Sequence, residues 1–205
     1  MKRSKLLLIL TTLLFTFSAC QKEISFDDSI ITDSTSVVGA WNFISMQTDM
    51  NVSFEGEQNG VDLKLVTTSN YTTINNAGTI TFDNDQMIAS GLTYSIDAIA
   101  KATLYLAGIP VNNSDIPLTG TIPPTDDTGS YEQVGADSIY VESGALAVVD
   151  PSGALQNTGL GFKLKWNGNQ MTMTTRVQTV TSEEYMGIPV TANADITAVF
   201  TLEKQ

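Results

Sequence analysis

Beyond residue 37, apolar and polar residues alternate with a period of two in segment after segment, and that pattern leaves few folds open. Val61, Leu63 and Leu65 are separated by Asp62 and Lys64. Ile80 and Phe82 alternate with Thr79 and Thr81, and Phe162, Leu164 and Trp166 with Lys163 and Lys165. Met171, Met173 and Val177 share one face, with Thr172, Thr174 and Arg176 opposite. Ile196, Ala198, Phe200 and Leu202 form another such row. Side chains of a strand point alternately to its two faces, so each segment can place one face on a core and the other in water. Asn167-Gly168-Asn169 and Asp83-Asn84-Asp85 separate pairs of such runs and read as hairpin turns. The expectation is an all-β domain over residues 37–205. Its strands form an antiparallel up-and-down β-barrel of about eight to ten strands, closed so that no long edge stays unpaired.

Two stretches are less direct. Every second residue from Tyr94 to Leu106 is apolar, which favours one long strand, although its alanines would also tolerate a helix. Residues 108–130, with several prolines and glycines, read as a loop carrying a short strand. Gly108-Ile109-Pro110-Val111 recurs as Gly187-Ile188-Pro189-Val190, each followed by Asp-Ile (Asp115-Ile116, Asp195-Ile196). Either two similar hairpins bend at matching corners or the echo is chance.

The amino-terminal segment carries a different message. Lys2, Arg3 and Lys5 precede a stretch from Leu6 to Phe17 made only of apolar residues and threonine. This stretch is shorter than the roughly twenty residues needed to span a bilayer, and Ser18-Ala19 close it with small residues. Residues 1–19 are therefore expected to be a cleaved signal peptide. Phe17-Ser18-Ala19-Cys20 resembles the lipobox of bacterial lipoproteins, with Phe17 in place of the usual leucine. The resemblance implies that Cys20, the sole cysteine, carries acyl chains that hold the protein to a membrane; the alternative is an ordinary signal peptide with an incidental cysteine. Each buried methylene contributes about 0.8 kcal/mol, so two or three chains anchor the protein durably. Lys22-Glu23, followed by Asp27-Asp28, partly resembles the surface-export signal of Bacteroidota lipoproteins and implies an outer-membrane, outward-facing location. Residues 20–36 are polar and aperiodic, as a flexible tether would be.

Composition excludes several function classes. Losing Lys2, Arg3 and Lys5 leaves 7 of the 10 basic residues against 22 acidic ones, a net charge of −15. Such a surface repels phosphate backbones, which argues against nucleic acid as a partner. The chain has no histidine. Serine or cysteine triads, histidine acid–base chemistry and the common zinc sites are therefore not expected, and no cofactor is implied. Of the acidic pairs, Asp83/Asp85, Asp126/Asp127 and Glu183/Glu184 sit at turn-like or loop positions, where solvent keeps carboxylates ordinary. A calcium loop at Asp83 would need a glycine where Ile88 stands and an oxygen ligand where Met87 stands. No enzymatic activity and no metal site are expected.

Val38-Gly39-Ala40-Trp41 opens the first alternating run. Its Gly-x-Trp pattern resembles that of the lipocalins. Together with Gly129-Ser130-Tyr131, Asp137-Ser138-Ile139-Tyr140 and Leu164-Lys165-Trp166-Asn167-Gly168-Asn169-Gln170-Met171, the chain is similar to small lipocalin-like lipoproteins of Bacteroidota. The Thr-Asp-Tyr motif of lipocalins is absent. The resemblance implies a calycin-type barrel over residues 37–205, with Gly39 and Trp41 at its closed floor. It also implies a basic side chain from a late strand packed on the Trp. Arg176, the one arginine outside the signal segment, is the candidate for that role, or else a solvent-facing residue on a threonine-rich face. Asp28-Ser29-Ile30, Asp33-Ser34-Thr35 and Asp137-Ser138-Ile139 resemble the O-glycosylation pattern of the same phylum.

Two functions remain open. In the first, a lipid-anchored barrel binds a small apolar ligand, its interior lined by Leu63, Phe82, Phe162, Leu164 and Met173. In the second, the barrel is packed solid and its loops bind glycan or protein. A ring of about eight strands can be either filled or hollow, so periodicity leaves the choice undecided.

Overall fold

The computed structural model describes residues 36–142, 159–185 and 188–205. The expected signal peptide, Cys20 and nearly all of the tether, with the Asp28 and Asp33 glycosylation patterns, lie outside them. Nine antiparallel strands are found among the described residues. They are β1 (Gly39–Gln58), β2 (Val61–Thr72), β3 (Ile74–Phe82), β4 (Gln86–Leu106), β5 (Ile109–Gln133), β6 (Ser138–Val141), β7 (Leu160–Asn167), β8 (Gln170–Tyr185) and β9 (Ile188–Lys204). All belong to one sheet, and the first strand also pairs with the last, from Trp41 opposite Lys204 to Gly56 opposite Val190. The sheet therefore closes into a ring.

Nine strands occupy eight positions around that ring, because β2 and β3 share one between β1 and β4. Thr73 marks the break between them. Its backbone N–H donates to Met46 O at 2.9 Å, and its Oγ1 accepts from the Met46 N–H at 2.9 Å. Asn75 follows at φ 54°, so the chain turns out of register before β3 resumes.

The strands differ in length, and this creates two tiers. In the lower tier every position is filled, with β6 and β7 completing the circuit between Tyr131–Gln133 of β5 and Gln170–Thr174 of β8. Above it, six strands run on: β8, β9, β1, β2, β4 and β5, in that order across the sheet. The upper parts of β5 and β8 have a strand partner on one side only among the described residues.

Local chemistry accounts for the connections. Asn59-Gly60, with φ of 53° and 78°, makes the two-residue turn between β1 and β2 that right-twisted strands favour. Ala107-Gly108 does the same between β4 and β5, at φ 48° and 79°. Gly168 (φ 62°) begins the β7–β8 turn expected from Asn167-Gly168-Asn169. At the Asp83–Asp85 turn, Asp83 Oδ1 accepts the backbone N–H groups of Asp85 (3.1 Å) and Gln86 (2.7 Å).

Residues 94–106 belong to β4, as their alternation favours. Residues 108–130 correct the sequence expectation: apart from Gly108, which belongs to the turn, they form a strand and not a loop, nearly the whole of β5. The prolines there do not break it, because Pro110, Pro117, Pro123 and Pro124 lie where β4 is the only partner strand described. An edge strand tolerates missing N–H donors on its free side. The repeated Gly-Ile-Pro-Val also acquires a structural meaning: Ile109 opens β5 and Ile188 opens β9, each the returning strand of a long hairpin.

Candidate functional site: the inner face of the ring

The base of the ring is packed by its own side chains. Trp41 is 5% exposed, and its indole Nε1 donates to the Val37 carbonyl at 2.8 Å. Trp166 stacks against it at 6.3 Å between ring centroids. Lys204 sits over the Trp41 ring with Nζ 5.7 Å from its centroid, placed there by the pairing of β1 with the end of β9. Gly39, at φ 136°, precedes Trp41 and faces the Lys204 stem. Above this floor Phe43 touches Tyr94 and Phe200, and Phe162 meets Phe200 edge-on at 6.0 Å.

Arg176 is not the partner of Trp41. On β8, Met171, Met173 and Thr175 are buried on the inner face, and alternation turns Arg176 outward. There its Nε donates to Asp195 Oδ1 at 2.8 Å in an exposed ion pair. The bidentate contact holds the Asp195 carboxyl below its ordinary range and raises the guanidinium. The role falls to Lys204, on a strand still later than β8.

Of the five expected lining residues, Phe82, Phe162, Leu164 and Met173 are buried in one cluster at the base. Leu63 is not among them. It stands partly exposed in the upper tier, opposite Gly56 of β1 and Leu106 of β4.

The inner face changes upward. The strand register aligns Thr48, Ala198 and Thr175 in one row and Met50, Ile196 and Val177 in the next. Higher still come Leu65, Phe54 and Ala192, then Leu63, Gly56 and Val190, with Leu104 and Leu106 beside them on β4. Phe54 is 42% exposed and Leu65 37%. The sequence signal for this surface is the same alternation that builds the core. What alternation does not disclose is the height at which packing ends.

The outer face is polar. Lys64 pairs with Glu55 at 2.7 Å and Lys163 with Asp137 at 2.6 Å, which lowers the Asp137 carboxyl. Asp83 is likewise lowered, by the two amides that it caps. Tyr131 OH donates to the Asp83 carbonyl at 2.6 Å, and burial, with the nearby carboxylates, raises its phenol. Asp126 and Asp127 are on β5 and Glu183 and Glu184 on β8, and not in loops. Asp126 Oδ1 accepts the Gly91 N–H at 2.7 Å, so it serves an irregularity in β4. Ser138 is 1% exposed and donates to Asp137 Oδ1, so it is closed to glycosylation in the folded protein. A depression of about 880 Å³ lies at the upper end, with Glu55, Lys64, Tyr105 and Thr191 among its lining. Among the described residues no three His, Cys, Asp or Glu side chains are grouped to hold a metal ion. No family model matches the chain, and neither does any curated protein or solved structure.

Proposed function

We propose that this chain is a lipid-anchored outer-membrane lipoprotein, held by acyl chains on Cys20, whose folded part is a lipocalin-like up-and-down barrel. In this reading it binds a small apolar molecule without chemical turnover. The observation that carries the reading is that apolar side chains recur on the inner face above the packed base, at Met50, Val52, Phe54, Leu65 and Leu104, interspersed with the small hydroxyls of Ser69, Thr67 and Thr179. A face of this kind, floored by Trp41 and Lys204 and walled by strands, has the concave apolar character of a ligand site. The eight ring positions and the basic group over the Trp support the lipocalin-like assignment.

The test uses the full chain with Cys20→Ala, since the anchor's own acyl chains would otherwise occupy the site. A neutral solvatochromic dye should bind saturably, and Leu65→Asp or Phe54→Asp should weaken it at least tenfold without altering the circular dichroism. The solid base and the depression near Tyr105 favour a second reading, in which loops or the outer face bind glycan or protein. Absence of dye binding, together with retention on a glycan array, would establish that alternative. Labelling the wild-type chain with a clickable fatty acid tests the anchor separately: loss of label with Cys20→Ala is expected, and equal label would refute it.

A further inference from the structure

On the β8–β9–β1 side the row at the level of Thr48 carries small side chains: Thr48 on β1, Ala198 on β9 and Thr175 on β8 are direct cross-strand neighbours, and Tyr71 of β2 stands on the other side of Thr48. Thr48 is 6% exposed and Thr175 4%. Among the described residues Thr175 Oγ1 has no hydrogen-bond partner. A buried hydroxyl left unpaired costs about 1–3 kcal/mol, and valine has the same shape without that cost. The hydroxyl therefore has a use outside the unliganded fold, or none at all. It faces the interior just where the packed base gives way to the half-exposed upper face.

Charge narrows what could meet it. Lys64, Lys101, Lys163, Lys165 and Arg176 all occupy outward register positions, opposite or beside polar residues of neighbouring strands. Lys204 is spent at the floor over Trp41. No described cation faces the interior at or above Thr175. Asp127, opposite the buried Ala89, adds a negative charge on the inner side. A carboxylate or phosphate entering here would lose its water and gain no counter-charge.

We propose that the ring selects an uncharged amphiphile, its hydrocarbon body along the inner face and one neutral hydroxyl or carbonyl oxygen against Thr175 Oγ1. The proposal rests on the apolar-ligand reading above and names the class of ligand within it. Free fatty acids and phospholipids are selected against, and long-chain alcohols, ketones and esters are favoured.

The experiment measures displacement of a bound neutral dye from the full chain carrying Cys20→Ala, at about pH 8, where a fatty acid is ionised. Dodecan-1-ol should displace the dye at least tenfold more effectively than dodecanoate. Thr175→Val should weaken the alcohol about tenfold, the loss of one buried hydrogen bond. It should also raise the urea midpoint of the unliganded protein, whereas a hydroxyl with a structural role would lower it. Dodecanoate binding as well as the alcohol would overturn the uncharged class while leaving the apolar site standing. Unchanged alcohol affinity in Thr175→Val would overturn the hydroxyl contact. Failure of the parent to bind dye at all would remove the apolar-ligand reading, and this proposal with it.

Discussion

Gly78 has no space for a side chain: a Cβ there would lie 2.6 Å from the Gly91 carbonyl oxygen and 2.7 Å from Leu92 Cα, and its φ is +104°. Both faults involve backbone, which cannot swing aside. Gly78→Ala should therefore cost about 2–4 kcal/mol, combining left-handed strain with a forced shift of β3 from β4. Urea denaturation measures this directly; a loss below about 0.5 kcal/mol would mean that the crossing is loose. A glycine inside an alternating run hints at such an irregularity, yet nothing local identifies Gly91 as its counterpart. The same limit explains Arg176. Its type suited the Trp41 partner, but its parity on β8 placed it outside with Asp195, and Lys204 reached the ring through the pairing of the two chain-distant strands.

Among the elements, the hairpins set the height of the upper tier, and their turns vary in quality. Asn59-Gly60 suits its positive φ values, whereas Ala107 holds φ 48° with a methyl group in the way. Ala107→Asn should stabilise the protein by about 0.5–1 kcal/mol, because asparagine tolerates the left-handed region that alanine resists. A rise in thermal midpoint checks this, and a fall would show that the Ala107 N–H bond to the Asp62 carbonyl had been disturbed. β5 illustrates how an element can be misjudged from composition. Proline density argues for a loop in isolation, but a strand flanked on one side does not need those N–H groups. Whether a strand lies at an edge is a property of the sheet and not of the segment.

For the whole molecule, closure joins residues near the beginning of the domain to its last strand, Trp41 to Lys204. The acid response belongs to this scale too. Asp83, Asp137 and Asp195 all have carboxyls lowered by the fold from 3.8. A carboxyl lowered on folding contributes stability that is present above its unfolded value and lost as pH falls through its folded one. Thermal midpoints should therefore hold from neutrality down to about pH 4 and decline below it. Asp195→Asn should flatten that decline, and a decline that begins near pH 6 would point to other groups.

The sequence by itself determined the strand class and the two faces of the core strands, because alternation is local and Phe162, Leu164, Met171, Met173, Ala198, Phe200 and Leu202 all follow it inward. It also located the turns at Asp83 and Gly168. Only the tertiary structure decided which strands meet. That choice turned residues 108–130 into an edge strand and gave Trp41 the lysine of β9. It also buried Phe82, Phe162, Leu164 and Met173 in the base while leaving Leu63 above it. The physical reason is that inward and outward are fixed by the pleat, two residues at a time, whereas depth in the ring depends on strands of unequal length paired across the full span of the chain.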